Sequence, residues 1–112
     1  MSSHTLYDDH AVALTSDTLV LRGFTKFLGR ARRIPLSNIT NFRVRPRAQF
    51  DQNQLPGWGL NDDGVWYTRD RRRYRRDASI EIQFSSHEPV GFTPAHVARV
   101  RELLLKQGVT ER

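Results

Sequence analysis

The most distinctive chemistry in this sequence is an arginine run at residues 69–77, which reads RDRRRYRRD. It contains six Arg and two Asp, a net charge of +4, while the other 103 of the 112 residues carry only +2 of the total +6. Arg makes planar, bidentate contacts with phosphate and carboxylate groups. The run therefore predicts contact with an anionic partner through the following side chains: Arg71, Arg72, Arg73, Arg75 and Arg76. The alternative is a solvated hairpin tip or loop.

Aromatic residues are further candidates for contact with a partner. Trp66, Tyr67 and Tyr74 lie beside or inside the arginine run, and aromatic rings interleaved with Arg can stack on the bases of a single-stranded nucleic acid. For Trp66 the alternative is an ordinary core position. Trp58, which lies between Gly57 and Gly59, is a separate candidate as an exposed recognition residue. For Trp58 the alternative is a ring that folds back onto the body of the protein, with a glycine on each side for backbone freedom.

A second basic group, Lys26, Arg30 and Arg32 with the adjacent Arg33, has the spacing K-x3-R-x-R. Alternate residues of a strand share one face, so Arg30 and Arg32 are expected on the same side, with Lys26 approaching across a turn. Together they could hold a phosphate through charge-assisted hydrogen bonds. The alternative is a set of solvated hairpin charges.

Catalytic and metal-binding signatures are not found in the sequence. There is no Cys, and no two of the four His have the i,i+4 spacing of a helical metal pair. Asp62 and Asp63 are adjacent within Asn-Asp-Asp-Gly, which is typical of a turn rather than of a catalytic pair. No phosphate-binding glycine loop or hydrolase motif occurs. We therefore expect no enzymatic activity, no metal and no cofactor.

Short strands are predicted to position these groups. Runs of β-forming residues, several with period-2 alternation, predict seven strands, at residues 11–15, 18–24, 30–36, 40–45, 65–68, 78–84 and 89–92. In the sixth strand Ile80, Ile82 and Phe84 are expected to face the core, and Glu81 to face outward. Residues 47–61 are expected to form a long loop.

A C-terminal helix is predicted after the last strand. Thr93 is expected as its N-cap and Pro94 as its first residue, and the helix is expected to run to Gln107, with Gly108 ending it. A chain of this length fits one domain, which we place at residues 11–107, between a flexible N-terminus at residues 1–10 and a tail at residues 108–112. No apolar run reaches the length of a membrane span, and residues 1–10 lack the apolar core of a secretory signal. A cytoplasmic location is expected, with the membrane periphery as an alternative.

Several segments together carry a resemblance to a known family. They are ALTSDTLVLRG at residues 13–23, RRIPLSNI at 32–39, FRVRP at 42–46, GWG at 57–59, and the strand at 80–84 that precedes the C-terminal helix. On these segments the chain resembles bacterial pleckstrin-homology-like (PH-like) domains over residues 11–107. The resemblance implies a mainly β (α+β) fold, a PH-like split barrel of about seven antiparallel strands capped by one C-terminal α-helix. An open α+β sheet with the helix on one face is the competing architecture.

Three functions remain open from the sequence. The first is a non-enzymatic binding module that contacts a protein or an anionic membrane surface, and the basic K-x3-R-x-R group is similar to the pattern of phosphoinositide-binding PH domains. The second is a self-associating structural protein that uses strand edges near Pro35 and Pro89, with Arg45 and Glu81 alternating across subunits. The third is a nucleic-acid-binding module that uses the arginine run.

Overall fold

A four-stranded antiparallel sheet forms the N-terminal part of the molecule. The computed structural model describes residues 4–24, 31–85 and 88–112. The strands of this sheet are β1 (Thr5–Asp8), β2 (Val12–Thr15), β3 (Thr18–Leu21) and β4 (Arg32–Pro35), and they pair in sequence order. Their apolar residues alternate, so Leu19 and Leu21 of β3 point into the core while Val20 lies half-buried between them.

A five-stranded sheet follows, with the order β5-β8-β9-β7-β6. Its strands are β5 (Ile39–Pro46), β6 (Gly59–Leu60), β7 (Trp66–Tyr67), β8 (Ala78–Phe84) and β9 (Val90–Phe92). All neighbours are antiparallel except β7 and β9, which are parallel. Within the described ranges no strand pairing joins this sheet to the first, and the two sheets do not close into a barrel.

The predicted mainly β fold with one C-terminal helix is confirmed. Each of the seven predicted strands has a counterpart, but β1 and β6 were not predicted. The N-terminal segment expected to be flexible contains β1, whose sequence TLYD is too short and polar to show alternation. β6 has only two residues, and the parallel β7–β9 pair corrects the expectation of a wholly antiparallel fold.

The core lies between the inner face of the five-stranded sheet, the first sheet and the helix α1 (Val97–Lys106). Ile80 pairs with Phe92 in the register of β8 and β9, and Glu81 pairs with Gly91, so these pairs alternate between the two faces of the sheet. Glu81 points outward as predicted. It is nevertheless only 1% exposed, and the side chains of Arg43, Arg45 and Tyr67 contact it on that face.

The helix begins at Val97 rather than at the predicted Pro94. The two residues before the helix are held from the other end of the chain: the N–H of Ala95 donates to Asp9 Oδ2 at 2.9 Å, and the N–H of His96 donates to the Tyr7 hydroxyl at 3.0 Å. The cap predicted at Thr93 is wrong, because the N-cap is His96 and the Thr93 hydroxyl donates to Asp70 Oδ2 at 2.8 Å. The predicted end at Gly108 is confirmed, with a left-handed φ of +87° at that glycine.

The edges of the sheets differ from those expected for self-association. β4 is an edge strand and ends at Pro35, as predicted, but the segment after Pro89 is the interior strand β9, and Pro89 O accepts the N–H of Trp66. The C-terminal tail covers part of the β5 edge, where the N–H of Phe42 donates to Thr110 O at 2.9 Å. No helix in the described part of the chain is long and apolar enough to cross a membrane.

Candidate functional site

The arginine run forms a compact turn between β7 and β8, and Arg73 anchors this turn from the inside. Arg73 is only 4% exposed. Its guanidinium donates from Nη2 to Thr68 Oγ1 at 3.0 Å and from Nε to Thr93 Oγ1 at 3.2 Å. It also donates from Nη1 to Pro56 O at 3.3 Å. Arg73 thus joins three separate segments, and its burial removes it from the exposed contact residues predicted from the sequence.

The electrostatic environment of Arg73 is unusual for an arginine. Burial lowers the pKa of Arg73 to about 10, and the nearby Asp70 carboxylate only partly offsets this effect. The direct hydrogen-bond partners of the guanidinium are neutral oxygens, while Thr93 Oγ1 passes its own hydrogen to Asp70 Oδ2 at 2.8 Å. Arg73 still carries its charge at neutral pH, and this charge is held in place by a fixed set of acceptors.

Four other arginines of the run and Tyr74 are exposed together with Trp58. Tyr74 is 68% exposed and Trp58 is 47% exposed. The guanidinium carbon of Arg69 lies 5.5 Å from the centre of the Trp58 ring, and that of Arg75 lies 5.4 Å from the Tyr74 ring centre. We define the arginine–aromatic surface as Trp58, Arg69, Arg71, Arg72, Tyr74 and Arg75, all of them exposed.

The segment before β6 brings Trp58 to this surface. The carbonyl oxygen of Pro56 accepts a hydrogen bond from the buried Arg73. Gly59, with a φ of +108°, turns the chain from Trp58 into β6. From the other side Arg47 donates through Nη2 to the carbonyl oxygens of Tyr74, at 2.9 Å, and Arg76. The Trp58 ring therefore lies against Arg69 rather than inside the core.

A cleft of about 300 Å³ adjoins Tyr74. It is lined by Tyr74, Arg47, Gln54 and Leu55. Sequence reasoning missed the last three residues, because they lie in a segment predicted only as a long loop. No sequence pattern could have found them, since their position depends on contacts between the loop and the turn.

The other predicted basic residues lie apart from this set or outside the described ranges. Arg76 is half-buried, and its Nε has no hydrogen-bond partner among the residues that the structure describes. Arg32 is half-buried, with its guanidinium carbon 5.1 Å from the Phe24 ring centre, while Arg33 follows it on β4 and is exposed. Lys26 and Arg30 lie outside the described residues. The phosphate site expected from Lys26, Arg30 and Arg32 stays a prediction.

A buried ionic network links strands β5, β7 and β8 with the loop before β7. Glu81 accepts hydrogen bonds from Arg43 Nε at 2.8 Å, Arg45 Nη1 at 3.1 Å and the Tyr67 hydroxyl. Arg45 Nη1 also contacts Asp63 Oδ2 at 2.9 Å. Arg45 and Glu81 therefore pair within one chain, which corrects the expectation that they alternate across subunits.

The network shifts the pKa values of Arg45 and Tyr67. Burial alone would lower the pKa of Arg45, but the hydrogen bonds to Asp63 and Glu81 raise it. Burial, together with the hydrogen bond to Glu81, raises the pKa of Tyr67. Arg45 is thus charged and the Tyr67 hydroxyl is protonated at neutral pH, as their hydrogen bonds in the network require. The predicted turn at Asp62 and Asp63 is confirmed, and Asn61 Oδ1 accepts the N–H of Asp63 at 3.1 Å.

The guanidinium donors of the arginine–aromatic surface can form charge-assisted hydrogen bonds with anionic groups, and its exposed rings offer flat apolar faces. Across residues 4–24, 31–85 and 88–112, no three His, Asp or Glu side chains are grouped in a way that could hold a metal ion. Comparison of the chain with protein-family models, with curated proteins and with solved structures found no match.

Proposed function

We propose that this protein is a non-enzymatic binding module that holds an anionic partner against the arginine–aromatic surface. The observation that carries the proposal is the exposure of Trp58 and Tyr74, each with a guanidinium beside its ring, on a turn anchored by the buried Arg73. Large exposed aromatic residues within a charged patch are typical of interaction sites.

The anchoring of the turn supports this function energetically. Arg73 and Arg47 fix the turn backbone through their hydrogen bonds, so less conformational entropy is lost when a partner binds. Four exposed arginines, Arg69, Arg71, Arg72 and Arg75, then present donors to phosphate or carboxylate oxygens. Binding of this kind weakens as salt screens the charges.

We also propose a relation to PH-like domains. Its support is the resemblance in sequence together with the order of the elements, in which many short strands precede one C-terminal helix. Domains of this kind serve as rigid interaction modules, which agrees with the proposed binding function. The location that fits the proposal is the cytoplasm.

The proposal is tested with immobilised inorganic polyphosphate at low and at physiological salt. The double variant Arg71→Gln/Arg72→Gln removes two exposed charges from the surface. The control Arg99→Gln/Lys106→Gln removes two charges from α1. We expect the first variant to bind about 5- to 30-fold more weakly and the control to bind like the wild type.

Two results would contradict the proposal. If the wild type fails to bind polyphosphate even at low salt, the surface has no affinity for a polyanion. If both double variants weaken binding equally, net charge alone attracts the polyanion and the arginine–aromatic surface has no special role.

A further inference from the structure

We infer that the anionic partner is a single-stranded nucleic acid, with bases stacked on Tyr74 and Trp58 and phosphates held by the neighbouring arginines. This inference rests on the proposed function and names the class of its partner. Three features of the surface support it: an exposed ring on a held turn backbone, a cleft with the polarity of a base-binding site, and the order of rings and charges along the chain.

The first feature is the Tyr74 ring. It is 68% exposed, and Arg75 Nε donates to the Tyr74 hydroxyl at 3.0 Å. The backbone that carries the ring is held by Arg47, which donates to the carbonyl of Tyr74. An exposed ring on a held backbone offers a stacking face, and every base has a flat face that can use it.

The second feature is the cleft of about 300 Å³ beside that ring. Leu55 contributes an apolar wall, and the Gln54 amide can both donate to and accept from the polar edge of a base. A base has apolar faces and a polar edge, so it matches this lining. A lipid headgroup or the carboxylates of an acidic peptide would meet the arginines, but these groups contain no flat ring for the cleft.

The third feature is the sequence of groups on the arginine–aromatic surface. Trp58 lies against Arg69, the exposed Arg71 and Arg72 follow along the turn, and Tyr74 with Arg75 comes next. A single strand alternates bases with phosphates, and its unpaired bases are free to leave their stack. A duplex presents phosphates alone to such a surface, because its bases stay paired and stacked.

The test measures fluorescence anisotropy with labelled single-stranded DNA and RNA of roughly ten nucleotides, a length within the usual site sizes. Tyr74→Ala removes the ring, and Tyr74→Phe keeps it as the matched control. We expect Tyr74→Ala to weaken single-strand binding about 5- to 150-fold and Tyr74→Phe to bind nearly as the wild type does. Polyphosphate binding is expected to stay unchanged in both variants, because polyphosphate has no bases.

Three results would overturn the inference: equal affinities of wild type and Tyr74→Ala for the single strand, equal affinities for single strand and duplex, or binding to anionic vesicles without binding to either single strand. Tyr74 is exposed, so both variants are expected to fold, and their thermal unfolding is compared with the wild type. If Arg71→Gln/Arg72→Gln still weakens polyphosphate binding, the proposed function stands although the inference fails. If that variant weakens nothing, the proposed function fails as well.

Discussion

Replacing Glu81 by glutamine is expected to destabilise the domain far more than replacing an exposed acid of the same network. Glutamine preserves the size of the side chain but removes the charge that Arg43, Arg45 and the Tyr67 hydroxyl share. Arg45 would then retain only the exposed Asp63 as an acidic partner. A largely buried guanidinium would lose its closest buried counter-charge.

The expected loss of unfolding free energy follows from the burial of Glu81 and Arg45. Removing one partner of a buried ion pair costs about 3–5 kcal/mol of unfolding free energy, because the other charge stays buried without compensation. Small domains have a total stability of about 5–15 kcal/mol, so the loss is a large fraction of it. For a domain of this size the melting temperature is expected to fall by roughly 10–20 °C.

Urea unfolding at neutral pH, followed by tryptophan fluorescence, measures the loss. Asp63→Asn is the control, because the Asp63 side chain is 53% exposed and its pairing with Arg45 is expected to contribute less than about 1 kcal/mol. Equal losses in Glu81→Gln and Asp63→Asn would refute the reasoning, since they would show that water reaches Glu81 as freely as it reaches Asp63.

Three further predictions concern the anchors of the fold. Burial would raise the pKa of Asp9, but hydrogen bonds from the Tyr7 hydroxyl and from backbone N–H groups lower it. Asp9→Asn should therefore lose stability at neutral pH, and urea unfolding should show this loss shrinking as the pH falls below about 4, where the unfolded carboxyl is already protonated. Gly91→Ala places a Cβ 2.5 Å from the Tyr67 ring, so the free energy of unfolding is expected to fall by about 1–3 kcal/mol. Thermal unfolding measures this loss, and an unchanged melting temperature would contradict the contact. Arg73→Lys keeps the positive charge but removes the several N–H donors of the guanidinium. Calorimetry should therefore show a loss of about 2–4 kcal/mol in the free energy of unfolding. The same variant should weaken polyphosphate binding, and unchanged binding would show that the turn needs no such anchor.

The sequence was most informative where alternation was strong. The predicted strand at residues 78–84 matches β8, because Ile80, Ile82 and Phe84 repeat every second residue. The same alternation correctly placed Glu81 on the opposite face. It could not show that Glu81 is buried, because alternation determines the face of a residue and not what covers that face.

The candidate site was predictable in position but not in internal arrangement. Composition alone located the arginine run, and neighbouring aromatics suggested contact with a partner. Nothing local distinguishes Arg73 from the arginines on either side of it. Its burial depends on oxygens of Pro56, Thr68 and Thr93, which only the folded chain brings together. The start of α1 differed for a similar reason, since the two residues before it are held by Asp9 and Tyr7.

These contacts before α1 have a consequence for folding kinetics. They join Asp9 to Ala95 and Tyr7 to His96, pairs separated by 86 and 89 residues. Loop-closure entropy opposes contacts of such long range until most of the intervening chain is organised, so we expect them to form late. A late contact has little effect on the folding rate, and its loss mainly accelerates unfolding. We therefore expect the lifetime of the native state to depend on the junction between the end of β1 and the start of α1.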